Sequence, residues 1–165
     1  MNAVMDAFLK TIEWIVDKLK IIGAICLAGM TFLTCADVIG RLFRHPIFGS
    51  VEIVGFMATL SVAMALPYTH KIKGHVGVEL LVRLLSDKAQ MIIDICTGIL
   101  SLTLFSIITW RMTTYAHTMH KSGEVSMNLE LPIHAIIYAT SFCFFIFALI
   151  ILQELIDNIR KVRSK

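Results

Sequence analysis

Six histidines and four cysteines are the side chains with the widest chemical reach in this 165-residue chain. Histidines on facing helices would ligate haem, and paired cysteines would make a disulfide or a zinc site. Neither pattern is present. His45, His70, His75, His117 and His120 fall between apolar runs or at their ends, and only the first turn of the last run contains His134. Cys26, Cys35, Cys96 and Cys143 stand singly inside apolar runs, which argues against a disulfide framework or thiolate site. No Ser, His and Asp set falls at a shared depth that would join a nucleophile to a base. Charges are the remaining candidates. Asp37, Arg41, Glu52 and Arg111 each lie near one end of an apolar run, with Arg44, Lys121, Glu124 and Glu130 in the connections beyond. Such charges either form rim ion pairs that orient helices or offer a docking surface to a partner outside the membrane. A cation path through this chain alone would need ionisable groups near the centre of a run, and none is expected there.

The runs themselves must position these charges. Hydrophobic residues make up 57% of the chain and charged ones 16%, with a mean hydropathy of +0.79. Soluble domains carry about a quarter charged residues. The apolar excess gathers into four blocks, and a block of roughly 20 residues crosses a hydrocarbon core about 30 Å thick. Spans are expected at 21–39, 51–68, 91–110 and 131–153. Four buried helices of a soluble protein would each show a charged outer face, and none does. The fold class is therefore an all-α integral membrane protein, a single membrane domain over 1–165. The segment before the first span is too long and too rich in acids for a signal n-region, so that span is expected to be retained.

Lys and Arg set the orientation, because cytoplasmic segments retain positive charge. Lys10, Lys18, Lys20, Lys71, Lys73, Arg83, Lys88, Arg160, Lys161, Arg163 and Lys165 lie on one side; Arg41, Arg44, Arg111 and Lys121 lie on the other. Both termini are expected in the cytoplasm. The net charge of +3 follows from this topology and does not point to nucleic acid.

Two further helices are expected at the membrane surface. Over residues 1–20, Asp6, Lys10, Glu13, Asp17 and Lys20 recur on one face and Val4, Phe8, Ile12, Ile15 and Leu19 on another, with Trp14 as an interfacial anchor. This helix would either rest on phospholipid or dock against another subunit. Over 74–86, Gly74 to Gly77 turn the chain, and Val76, Leu80, Leu81, Leu84 and Leu85 make an apolar face opposite a Glu79–Arg83 pair. Ser86 and Asp87 would cap a long third helix running to about Lys121, roughly 50 Å at 1.5 Å per residue. Pro132 sits where a first-turn proline opens the fourth. Small residues Ala24, Ala28, Gly55, Ala58, Ser61 and Ala65 offer faces for close helix approach.

The first connection reads Ala36-Asp37-Val38-Ile39-Gly40-Arg41-Leu42-Phe43, then Pro46-Ile47-Phe48-Gly49-Ser50-Val51-Glu52. Ala65-Leu66-Pro67-Tyr68, Gly74-His75-Val76 with Val78-Glu79, Trp110-Arg111 and Pro132 follow in order. Over roughly residues 20–155 the chain resembles the small membrane subunit (Q subunit, DctQ-like) of TRAP transporters, the tripartite ATP-independent periplasmic transporters. The resemblance implies a scaffold in the bacterial inner membrane, with no enzymatic activity and no cofactor of its own. A large membrane subunit would carry the substrate and sodium sites and move as an elevator. A periplasmic substrate-binding protein would deliver an organic anion, dicarboxylate-like or a related acid. The rival reading is a four-helix membrane anchor of a redox enzyme, which would need mid-span histidines or paired loop cysteines. A self-sufficient small multidrug exporter would need an acid within a span, and Asp37 lies too near the rim.

The topology has a direct test. A single cysteine at Ser122 should react with a membrane-impermeant thiol reagent from the periplasmic side, and one at Ser164 should not. Labelling at Ser164 from outside would reject the four-span arrangement.

Overall fold

The computed structural model describes residues 2–72 and 87–163, with backbone alone for 2–9, 87, 88, 91 and 160–163. These residues form four helices: α1 (Asn2–Leu42), α2 (Ser50–Lys71), α3 (Asp87–Ser122) and α4 (Ile133–Arg163). Each contains a stretch long and apolar enough to cross a membrane. The surface helix expected over 74–86, with its Glu79–Arg83 pair and the Ser86 cap, lies outside the described residues. The third helix runs from Asp87 to Ser122, as its lack of breakers led one to expect. Pro132 directly precedes α4, and its carbonyl accepts the Ala135 N–H at 3.1 Å.

α1 departs from expectation. Its 41 residues span about 60 Å, twice the thickness of the hydrocarbon core. Residues 2–20 are therefore not a separate surface helix but the continuation of the first span. No breaker interrupts the helix there, and its apolar face finds a partner within the chain. Ile12, Val16 and Leu19 are buried in one cluster with Ala63 of α2 and Cys143, Ile146 and Ile150 of α4. Trp14 remains exposed, with the Lys18 ammonium 5.7 Å from its ring centre.

The chain makes two antiparallel hairpins, α1–α2 and α3–α4, joined where α2 packs on α4. Seen in cross-section the order is α1, α2, α4, α3, a row rather than a closed bundle. α3 packs on α4, with no comparable contact to α1 or α2. None of the most apolar eighteen-residue stretch of α3 is buried, against 39% of that of α4, so α3 is an edge and α4 is central.

Hydroxyls join each hairpin, as expected where lipid supplies no hydrophobic drive for helix association. Ser61 donates to the Gly23 carbonyl across α1–α2 at 3.0 Å and is buried. Across α3–α4, the Thr113 and Ser141 hydroxyls stand 2.7 Å apart and both reach the Thr109 carbonyl. Of the small residues singled out from sequence, Ser61 meets α1, whereas Ala24, Ala28 and Gly55 face outward. The close approach on α1 falls instead at Gly23, where a Cβ would meet the Met64 Cβ at 3.2 Å and the Ser61 carbonyl oxygen at 3.3 Å.

Gly23→Leu should thus force α1 off α2 and cost on the order of 1–3 kcal/mol, the usual range for overpacking. Gly55→Leu meets open space and should leave stability unchanged. Thermal unfolding of the purified chain in detergent measures both; equal transitions for the two variants would contradict this packing.

Candidate functional site

The two hairpin connections lie together at one end of the row, opposite the described termini, and backbone geometry marks them out. The left-handed residues among those described are Arg44 (φ 62°) and Gly49 (φ 72°) in the first connection, and Gly123 (φ 68°) and Glu130 (φ 51°) in the second. Non-glycine residues rarely adopt this region, and such strain concentrates where surrounding structure holds it for a purpose.

Carboxylates do the holding. Asp37, nearly buried on the last turns of α1, takes the Arg41 guanidinium Nε–H on one oxygen at 2.8 Å. Its other oxygen accepts the Ile47 N–H at 2.9 Å. One side chain thus ties the helix end to the connection that leaves it. Gly49 then caps α2 in the left-handed conformation, and a Cβ there would run into the Leu129 side chain. Leu129 belongs to the second connection, so the two are in contact at this point.

Glu52, in the first turn of α2, completes the link. Its Oε1 accepts the Asn128 N–H and the Asn128 side-chain amide, each at 2.8 Å, and its Oε2 accepts the Leu129 N–H at 3.1 Å. Within the second connection, Ser126 N–H donates to the Leu131 carbonyl at 2.9 Å, and Leu131 N–H donates to the Ser126 hydroxyl at 3.1 Å. A carboxylate that accepts several backbone N–H groups fixes their positions more firmly than a surface ion pair would. The tip so presented is Met127, 97% exposed, with Phe43 and Phe48 exposed on the first connection. Exposed apolar side chains on a rigid rim beside Arg41, Arg44 and Glu130 are a surface on which another protein can pack.

The structure therefore brings together Asp37, Arg41 and Glu52, though not as one ion-pair network. Asp37 pairs with Arg41, and Glu52 serves a loop. Arg111 is elsewhere. Along the α3–α4 hairpin, His120 is level with His134, Thr113 with Ser141, and Gly98 with Leu155. Each step along α3 is matched by one back along α4, so Arg111 is level with Cys143. That places it about eleven residues, or roughly 16 Å, below Pro132 at the helical rise. It is exposed, and among the described residues no acid pairs with it. The apolar run of α3 ends halfway along the helix, so a place at the end of that run does not bring Arg111 to the loop end. Trp14 lies at the opposite end of the row from Asp37.

A histidine pair went unnoticed in the sequence. His120 Nδ1 and His134 Nε2 stand 3.3 Å apart, with ring centres 4.5 Å apart, and close the hairpin beneath its loop. Their near-equal distance from the centre of the 123–132 connection was the available signal. At the terminal end, Lys71 reaches Glu13 at 3.4 Å and His70 reaches Glu154 at 2.8 Å, fastening α2 to both neighbours. No group of three or more potential metal ligands occurs among the described residues.

A family model for the DctQ component of tripartite ATP-independent periplasmic transporters matches residues 30–161. Neither a curated protein nor a solved structure matches the chain.

Glu52→Gln should release the second connection while leaving the row intact. Hydrogen exchange of the amides over 126–131 should quicken about tenfold, the worth of a hydrogen bond to a charged group, with the helices protected as before. Lys121→Gln, which touches none of these bonds, should change nothing. Unaltered exchange in the Glu52 variant would show that the carboxylate does not hold the loop.

Proposed function

The chain belongs to the DctQ family, the small membrane component of tripartite ATP-independent periplasmic transporters, and from that premise we propose how it serves the assembly. It is a multi-pass membrane protein and a transporter component, not an enzyme. Its family works together with a large membrane subunit and a periplasmic binding protein. In the proposed role the chain is a scaffold in the bacterial inner membrane, both termini in the cytoplasm. It braces a large subunit that moves an organic anion, driven by sodium, with the substrate and sodium sites in that subunit. The rim built by Asp37, Gly49, Glu52 and the 123–132 connection faces the periplasm and helps seat the binding protein.

One observation carries the scaffold reading. The helices form a row with two open edges, and its buried interior is a small apolar cluster. Translocation requires a polar site near the midplane between discontinuous helices or repeats. All four helices here run unbroken, and the buried hydroxyls of Ser61 and Ser141 are consumed in helix-to-helix bonds. Surfaces rather than a pathway are what this chain has to offer. The redox-anchor alternative finds no support in the family match.

Reconstitution tests this. Proteoliposomes with the chain alone should show no sodium-driven uptake of organic anion, even with binding protein supplied; adding the large subunit should restore it. Uptake by the isolated chain would reject the scaffold role. In the complete transporter, Glu52→Ala should slow uptake several-fold by loosening the rim, and Lys121→Ala should stay near the wild-type rate.

A further inference from the structure

The outward face of α3 changes character partway along. Leu100, Leu104 and Ile107 are exposed and apolar, at the spacing of one helix face. The same face continues with Arg111, then Thr114, Tyr115 and Thr118, all exposed. The helices beside it make no such change at that height. Arg111 is level with Cys143, within the long uncharged stretch of α4, and Cys143 packs in one cluster with Ala63, within the uncharged stretch of α2. A lipid slab that covers those stretches of α2 and α4 must also cover Arg111.

A guanidinium at that depth cannot face hydrocarbon without penalty, and ionisable groups inside membranes pair with one another or line a cavity. Headgroup phosphates are out of easy reach, because the loop end of α4 lies roughly 16 Å away along the helix. Nor does the chain satisfy the group itself: no acid pairs with it among the described residues, and Thr113, which faces α4, is on the other side of the helix. The hydroxyls of Thr114 and Thr118 are bonded back to the Trp110 and Thr114 carbonyls, so they compete little for it.

We propose that the outward face of α3 around Arg111 is an intramembrane seam, and that Arg111 there pairs with a carboxylate on a helix of the large membrane subunit. This rests on the scaffold reading above and adds which edge of the row does the bracing, and by what chemistry. Arginine suits the task, because its planar fork grips a carboxylate through two parallel hydrogen bonds. Such a pair fixes register along helices that apolar packing alone leaves free to slide. The Leu100, Leu104 and Ile107 side chains supply the apolar contact on the terminal side of the pair.

The test compares the isolated chain with the assembled transporter. Arg111→Leu should leave the thermal stability of the isolated chain in lipid nanodiscs unchanged or higher, since nothing in the chain loses a partner. Co-purification of the large subunit should fall at least about tenfold in Arg111→Leu and further in Arg111→Glu, because removing one member leaves a buried charge unpaired. Arg111→Lys, which keeps the charge and loses the fork, should fall between wild type and Arg111→Leu. A photo-crosslinking residue in place of Tyr115, one turn along the same face, should capture the large subunit. Wild-type co-purification in Arg111→Leu, a loss of stability in the isolated chain, or capture of lipid alone at Tyr115 would each overturn the seam. If the wild-type chain itself fails to hold the large subunit, the scaffold reading falls first.

Discussion

The packing of α2 against α4 is the interaction on which the rest of this structure depends. Within hydrocarbon, bringing two apolar helices together removes no surface from water, so the gain must come from close packing and hydrogen bonds. Ala63 and Cys143 are small enough to let the two helices approach, and Ile146 and Ile150 fill the space toward the termini. α1 then closes over that seam with Ile12, Val16 and Leu19, which converts two hairpins into one body. At the terminal end His70 stands edge-on to Phe147 with its Nε2 2.8 Å from a Glu154 carboxylate oxygen, so polar groups meet on the same seam where water returns. Without this seam, α1–α2 and α3–α4 would be separate hairpins sharing a connection.

A row built around one central seam has consequences a bundle does not. A four-helix bundle buries a stripe of every helix and keeps an interior in which a cofactor or ion site can be placed. Here α3 packs on α4, and α1 packs on α2 and touches α4 toward the termini, and both present the rest outward, which accounts for the exposure of Phe32, Val38, Leu100 and Trp110. Lipid tolerates such faces, and so does another membrane protein. Hydroxyls along the described helices are accordingly taken up in helix-to-helix bonds or, for threonines, bonded back to carbonyls four residues earlier. Threonine back-bonding lets a hydroxyl sit on a lipid-facing helix without an unsatisfied donor.

Much of this was legible in the sequence, for reasons that differ by element. The four spans were readable because a slab of fixed thickness imposes a minimum apolar length, which composition reveals directly. The extent of α3 was readable because nothing breaks it between Asp87 and Ser122. The Asp37 to Glu52 stretch could be recognised as a pattern, yet its physical content could not. Nothing in the order of residues says that Asp37 holds the Ile47 N–H, or that Glu52 reaches seventy-odd positions ahead to Asn128. The periodicity over residues 1–20 left the partner of its apolar face open, and Ile12, Val16 and Leu19 are buried against α2 and α4. A face of Ile12, Val16 and Leu19 suits a lipid surface and a helix pair equally well, and only tertiary packing chooses.

Depth was the hardest quantity to read, and Arg111 shows why. Counting from the end of an apolar run assumes that every run begins and ends at the same membrane plane. In the α3–α4 hairpin the runs are displaced instead: the apolar stretch 92–110 of α3 lies level with the half of α4 that carries Gln153, Glu154 and Asp157. The polar half of α3, with Arg111, Thr114 and His117, lies level with the uncharged start of α4. No single lipid slab can satisfy both helices, and tilt or local thinning corrects only a few ångströms of mismatch at modest cost. A displacement of about half a span is beyond that range. Protein cover on α3 removes the conflict, because a polar stripe against a complementary helix no longer faces lipid. In the proposed assembly the rim and the stripe would address different neighbours at different heights, one above the membrane and one within it.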